Sequence, residues 1–362
     1  MNNPEITVLM PVYNGERYLR EAVESILNQT FKDFEFLIIN DCSTDGSREI
    51  ILSYNDKRIR LIDNQVNMGQ TKSMNRGLRL ARGRYIARID QDDVSLPNRL
   101  EEQSIFLHSN PEIIAVGSLG KYIEKGGRSI DVWKPSCDPK EINLLMLFYN
   151  QIGHSSAMMD RETVLHIGGY NEWYQCSQDY ELWSEMVRRK YKITNIPKFL
   201  FKARIHSHQA SVTFRSKRFP LELSEIIHKN ISELTNVNIS KEESRQVVGL
   251  IYNFNQFTIE NINSVEEKLN GIYFDLCKGS SDKNEINIIS RMFSKHYYNI
   301  AMNCIDHNEP QYALKAITRS IHLNPFQFKH YGYLLILSIF KKRVKDIVKI
   351  KDAFLNYERR LL

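Results

Sequence analysis

What is scarce in this chain narrows its class before any motif is read. Cysteine is sparse: Cys42, Cys137, Cys176, Cys277 and Cys304 are odd in number, scattered, and never spaced as Cys-x-x-Cys. A disulfide framework and a tetrahedral zinc site are thereby disfavoured, and reduced thiols in the cytosol are the simplest expectation. Long apolar runs are missing: the longest, around Tyr331 to Phe340, falls short of the roughly 20 residues a bilayer-spanning helix needs. The opening Met-Asn-Asn-Pro-Glu has neither the basic start nor the apolar core of a secretion signal. No dense Lys/Arg tract interleaves with aromatics, which speaks against nucleic acid as a partner. Gly-x-Gly-x-x-Gly and Gly-x-x-x-x-Gly-Lys-Ser/Thr are both absent, which speaks against a dinucleotide-binding domain and a P-loop nucleotidase. The expected location is cytoplasmic, with peripheral contact on the inner face of the membrane left open.

What is present is enough for two ordinary domains. The 362 residues are 42% apolar and 25% charged, so a packed core is affordable and disorder is not indicated. The net charge of +6 suits an anionic substrate or an anionic surface without choosing between them. Strand-like runs at Ile6 to Val12, Phe34 to Ile39, Ile59 to Ile62 and Tyr85 to Ile89 alternate with helical stripes at Tyr18 to Gln29, Ser47 to Tyr54 and Gln70 to Ala81. Such alternation implies βαβ units, a parallel sheet with helices on both faces, and ligands at the strand C-termini. Further signals predict a helix over Leu96 to His108, a strand over Ile113 to Ile123, a turn at Gly126 and Gly127, helices over Asn143 to Phe148 and Asp179 to Arg188, and an extended run over Ile193 to Ile205. Beyond a boundary near Thr213 to Pro220 the helical period dominates. There Tyr297, Ala301, Ala313, Ile317 and Pro325 fall at the spacing of a single tetratricopeptide-like hairpin over 294–325, for which an ordinary helical hairpin is the simpler reading.

The residues that carry chemistry cluster after the predicted strands. Asp90-Gln91-Asp92-Asp93 closes the fourth strand, where alternation would put Asp90 and Asp92 on one face. Three carboxylates so close repel, and a hard divalent cation, Mg2+ or Mn2+, held together with substrate phosphates resolves the repulsion. A solvated acidic turn is the plain alternative. At the second strand's end, Asn40-Asp41-Cys42-Ser43-Thr44-Asp45-Gly46-Ser47 places Asp41 to accept from a nucleobase N–H or ribose hydroxyls, while Asp45, Gly46 and Ser47 suit a turn and helix cap. Past the first strand, Pro11-Val12-Tyr13-Asn14-Gly15 offers the face of Tyr13 for a base to stack on.

These segments, in order, resemble the inverting family 2 glycosyltransferases. The resemblance also takes in Asn67-Met68-Gly69, Asn75-Arg76-Gly77, the run Gly83 to Asp93 with Pro97 and Arg99, Gly168-Gly169-Tyr170-Asn171, Gln178-Asp179-Tyr180-Glu181-Leu182-Trp183, and Arg204-Ile205-His206 with Ser211. It spans residues 5 to about 213. It implies an α/β GT-A fold, a Rossmann-like mixed sheet flanked by helices, over residues 1–215, followed by an α-helical C-terminal domain over 216–362. It further implies that Pro11, Tyr13, Asn14, Asp41 and Lys72 bind the nucleotide, that Asp92 approaches the ribose, that Asp93 ligates the metal with Asp92 and His206 near it, and that Asp90 supports the donor sugar. Asp179 would be the general base, and His154, Trp173 and Gln178 would lie on the acceptor side. The family usually carries Glu or Asp where this chain has Gln178, a departure that removes a charge beside the base.

The implied reaction is a single in-line displacement on a nucleotide-diphosphate sugar, UDP by default, with inversion at the anomeric carbon and a glycan or lipid-linked acceptor of the bacterial-surface kind. A basic amphipathic tail at Leu334 to Ile350, with Lys341, Lys342, Arg343, Lys345 and Lys349, suits either an anionic membrane surface or a solvated face, and helices such as Ser224 to Leu234 would allow a homodimer. Two other classes compete: a non-catalytic nucleotide-sugar-binding or scaffold protein on the same fold, and a nucleotidyltransferase. The latter expects a Gly-rich, cationic loop where this chain has Tyr13-Asn14-Gly15-Glu16.

Overall fold

A computed structural model describes residues 3–206, 218–252, 262–307, 309–327, 330 and 333–334. They fall into two compact units, 1–222 and 223–362. The first is a single nine-stranded sheet in the order β3-β2-β1-β4-β8-β6-β9-β5, with β7 paired to β6. Its parallel half comprises β1 (Ile6–Val12), β2 (Phe34–Asn40), β3 (Ile59–Asp63) and β4 (Tyr85–Arg88). β1 and β2 are buried along their whole length, as central parallel strands covered on both faces must be. Helix α1 (Glu16–Leu27) buries the stripe Leu19, Ala22, Val23 and Ile26; each larger member contributes about 1.5–3 kcal/mol through its burial. Helices α2 (Ser47–Leu52) and α3 (Gln70–Leu80) complete the crossovers, and Gly77 lets α3 approach β1, since a Cβ there would stand 2.3 Å from Leu9 Cδ1.

The first four strands are parallel, as the alternation implied, and the other half makes the sheet mixed, as the family resemblance implied. β8 (Met158–Asp160) runs antiparallel to both β4 and β6 (Ile113–Ile123), β6 is parallel to β9 (Lys192–Arg204), and β9 is antiparallel to β5 (Val94–Ser95). The sheet is therefore mixed. The β6–β7 hairpin (β7, Ser129–Trp133) turns through Gly127 at φ +81°, where the sequence placed a turn. Helix α4 (Arg99–Ser109) begins after Asn98, and α5 (Pro139–Leu145) begins four residues before the helix expected at Asn143, because Asp138 accepts from Lys140 N–H at 2.9 Å and Pro139 occupies the first turn. Helix α6 (Arg161–His166) was not anticipated, and α7 (Gln178–Arg188) was.

Arg99 ties the two halves together. Fully buried, it donates to Gln103 Oε1, Ser95 Oγ and the carbonyls of Arg88 and Ala157, so one guanidinium links α4, β5, β4 and the residue before β8.

Helix α8 (Arg218–Leu234) starts in the first unit and continues into the second, which further comprises α9 (Lys241–Tyr252), α10 (Ile262–Gly279), α11 (Lys283–Asp306) and α12 (Pro310–Leu323). α11 and α12 form an antiparallel hairpin: Ser294 Oγ donates to the Ser320 carbonyl and Ser320 Oγ to the Ser294 carbonyl, at 2.8 and 2.6 Å. Tyr297, Ala301, Ala313 and Ile317 are buried in it. The basic run at 341–349 and Ser211 lie outside the described residues.

Candidate active site

The loops after β1 and β2 brace each other. Asn14, at φ +48°, accepts Thr44 N–H at 2.8 Å, and its own N–H donates to Ser43 Oγ at 3.1 Å. Ser47 Oγ and Asp45 Oδ2 accept the N–H groups of Gly15 and Glu16, while Glu16 accepts from Gly46 N–H. Asp45 and Ser47 are thus caps, as expected, but chiefly of the neighbouring α1, whose N-cap Gly15 has no side chain. Tyr13 stands 45% exposed on this brace, its backbone held at both N–H and C=O by the amide of Gln91, at 2.8 and 3.0 Å. Pro11 is buried within β1, paired with Ile39. Lys72 is exposed on α3.

Asp41 is held by backbone and side-chain donors. It is 2% exposed and accepts from Asn64 Nδ2, Met68 N–H and Gly69 N–H at 2.6, 2.9 and 2.8 Å. Its carboxylate organises the segment leading into α3.

The acidic run at 90–93 lies in a turn beyond β4, closed by Asp93 N–H to the Asp90 carbonyl, so strand alternation does not govern it. The three carboxylates fan out. Asp90 accepts from Gln70 Nε2 and Ser155 Oγ, both at 2.9 Å, and lies 2.6 Å from Arg88 Nη2. Although burial raises it, the Arg88 guanidinium, with the hydrogen bond from Ser155, holds the Asp90 carboxyl below the usual range. Asp92 Oδ2 meets His206 Nε2 at 2.8 Å, and the imidazole packs on Tyr18, ring centres 5.2 Å apart. Asp93 turns inward: it is buried and accepts Arg204 N–H at 2.8 Å. Burial first, then the neighbouring carboxylates, raise Asp92 and push Asp93 well above the ordinary carboxyl range. Asp92 and His206 are thus the more exposed pair, and Asp93 lies behind them against the backbone of Arg204. Among the described residues no group of three or more His, Cys, Asp or Glu side chains converges to hold a metal.

Asp179 opens α7. Asn150 Nδ2 donates to its Oδ2 at 2.8 Å. Burial raises its carboxyl to about 6, against the opposing pull of the Tyr180 N–H, Asn150 and Arg88, with Asp90 adding to the rise. Next to it, Gln178 Nε2 donates to Gln70 Oε1 at 3.1 Å, and Gln70 reaches on to Asp90, so amides link α7 to the acidic turn where the family's usual carboxylate would add a charge. His154 Nε2 lies 3.0 Å from the Tyr170 hydroxyl; burial first, then Arg88, hold this imidazole well below its usual range, so it is neutral. Trp173 is 49% exposed, edge-on to Tyr174.

Asp90, Asp92, Asp179, His154, His206 and Gln178 are thus brought together, and Tyr13 is joined to the acidic turn by Gln91. Sequence reading missed Arg88, Gln70, Asn150 and Ser155. Arg88 is the most telling: it is fully buried, its guanidinium acts on Asp90, His154 and Asp179, and its only polar contact among the described residues is the Asp90 ion pair, off hydrogen-bond alignment. Its place two residues before the acidic run, on an alternating strand, is the signal that could have found it.

Comparison with known proteins places the chain in a family. The sequence profile described as Glycosyl transferase family 2 matches residues 7–168. An uncharacterised glycosyltransferase of Haemophilus influenzae is 37% identical over 229 residues, covering 60% of this chain and 70% of that protein. One from Methanocaldococcus jannaschii is 39% identical over 210 residues, covering 57% and 72%. Among solved structures, Staphylococcus aureus TarS 1–349 in complex with UDP-GlcNAc superposes with a TM-score of 0.52 at 16% identity, covering 88% of this chain and 91% of that one. The Pyrobaculum calidifontis mannosyltransferase PcManGT, with GDP-Man and Mn2+, gives 0.51 at 15% identity, covering 89% and 88%. The structural likeness shows the GT-A fold.

Proposed function

This chain belongs to glycosyltransferase family 2, and on that premise we propose that it moves a sugar from a nucleotide-diphosphate donor, a UDP-sugar, to an acceptor hydroxyl of a glycan or glycolipid in one inverting displacement. The observation that carries the reading is Asp179: a carboxylate at a helix start, oriented by Asn150 and raised to about 6, ionised at neutral pH yet basic enough to take a hydroxyl proton as it attacks. Two of the most similar solved structures hold nucleotide sugars, which supports the donor class.

Tyr13 stacks the base, its backbone fixed by Gln91. Asp92 and His206 are the residues that would hold a divalent cation, Mn2+ or Mg2+, together with the donor diphosphate. That ion, when bound, offsets charge growing on the departing diphosphate. Asp90, fixed by Arg88, Gln70 and Ser155, presents a constant acceptor to the donor sugar. On the acceptor side, neutral His154 and the Gln178 amide orient the incoming hydroxyl toward Asp179, with Trp173 beside them as an aromatic wall. Lys72 is left as an exposed cation near the base, and Asp41 as the support of the loop that borders it.

The test is Asp179→Asn. We expect UDP release from UDP-GlcNAc or UDP-glucose, with Mn2+ and a panel of glycoside acceptors, to fall by at least 10³-fold, while Mn2+-dependent UDP binding stays within about twofold. Transfer that survives the substitution would remove Asp179 from the role of base.

A further inference from the structure

The loop that delivers Asp179 is held from a distance. Asn75 fixes its beginning twice, donating to the Tyr170 carbonyl and accepting Tyr170 N–H at 2.8 and 2.9 Å, and Thr71 Oγ1 holds the Tyr174 carbonyl at 2.8 Å. Its exit has no local support of that kind. Ser177, the N-cap of α7, makes no side-chain cap bond, and its Oγ is buried without a partner among the described residues. The N–H groups of Gln175, Cys176 and Ser177 instead converge on one carboxylate, Glu222, at 2.8, 3.0 and 2.9 Å. Arg218, one turn earlier on α8, donates Nε to the same carboxylate at 2.8 Å, donates Nη2 to the Trp173 carbonyl, and lays its guanidinium over the Trp173 ring at 5.1 Å.

Resting on the assignment of Asp179 as base, we propose that Arg218 and Glu222 form a clamp whose function is to position the base: Glu222 sets where α7 begins, and Arg218 sets the neighbouring Trp173. Three successive N–H groups make a nest for an anion, and a side chain 45 residues away in the sequence fills it. A buried carboxylate costs heavily unless it is saturated with donors, and Glu222 is fully buried with five, the Cys176 thiol among them. A cap by Ser177 could not do the same, because an N-cap hydroxyl accepts from the N–H groups two and three residues further on and not from those of 175–177. What the distant carboxylate adds is a fixed distance between α8 and the residue two positions before Asp179. The Cys176 thiol, which donates to Glu222 Oε2 at 3.1 Å, is pushed up to about 12 by burial and by that carboxylate, so it stays protonated.

Clamping matters because displacement of a reacting group by about 1 Å can cost on the order of 100-fold in rate. Glu222→Gln keeps the volume but turns an amide N–H toward donors. Two readouts decide: hydrogen exchange at the amides of 175–177, and UDP release from UDP-GlcNAc with Mn2+, separated into kcat and donor KM. We expect exchange at 175–177 to rise at least tenfold, kcat to fall at least tenfold, and donor KM to stay within twofold. Unchanged kcat, or retained amide protection, overturns the clamp; so does a parallel loss of kcat and donor affinity, which marks general scaffolding. If Glu222→Gln yields no folded protein, Arg218→Ala decides by the same readouts, and a wild-type kcat with wild-type protection overturns the proposal. Activity retained by Asp179→Asn would instead strike the assignment of the base and leave the clamp's geometry untouched.

Discussion

A carboxyl held at about 6 loses its proton just below neutrality, so the activity of this protein should carry an acid limb there. Rate requires the ionised form, and kcat/KM is expected to rise through pH 6 and level off above it; a profile flat from pH 5 to 8 would exclude Asp179 as the titrating base. The same shift has a stability sign. The folded-state value lies above the unfolded one, so the native state holds the extra proton between the two, and stability falls as pH rises through that window and stays lower above it. Asp179→Asn should therefore melt higher than the parent at pH 7.5, with the gain shrinking towards pH 4, as a differential thermal melt would show. Asp92 and Asp93 should separate in the opposite manner. Asp92→Asn or His206→Ala should abolish Mn2+-enhanced UDP binding in calorimetry while leaving the melt near that of the parent. Asp93→Ala should lower the melting temperature, because it strands the buried Arg204 N–H, at about 1–3 kcal/mol. Which residues come together was legible from the sequence: Asp90, Asp92, His154, Asp179 and His206 lie in one neighbourhood. Orientation was not. Asp41 and Asp93 belong to the same motifs yet face inward, since what decides it are donors at 68–69 and 204, supplied by elements far along the chain.

Elements tell a similar story. β1 and β6 follow their apolar runs to the residue, and α1 follows its stripe, because burial on a long face leaves a periodic imprint. β5 and β8 leave none: at two and three residues they are too short to show a period, and their pairing is dictated by β9, β4 and β6. The mixed half of the sheet left no imprint of its own for that reason and was implied only by the family resemblance, while the strand–helix alternation before it suggested the parallel half. Capping across loops was equally hidden, since Ser47 looks like the cap of its own helix. Ser47→Ala is expected to cost about 1 kcal/mol in chemical denaturation, by releasing Gly15 N–H at the start of α1. A neutral result would show that Glu16 and Asp45 suffice.

At the scale of the molecule, the site is built from both halves of one sheet, and a ligand spanning them should stabilise the folded chain. With UDP and Mn2+ at about 100 times Kd the expected gain is ~2.7 kcal/mol, a rise of roughly 5–10 °C for a unit of this size, reversed by a chelator. GDP in place of UDP should give a markedly smaller shift; an equal one would leave the base unspecified. The strand order carries one more consequence, for the order in which the protein comes into being. β9 lies between β6 and β5, and Asp93 meets the backbone of Arg204 across 111 residues of sequence. During translation the four parallel strands can assemble while the acidic turn still lacks the strand that seats it, so a nascent chain arrested before residue 192 should fold its first sheet and yet fail to retain nucleotide, and competence should arrive abruptly once β9 leaves the ribosome.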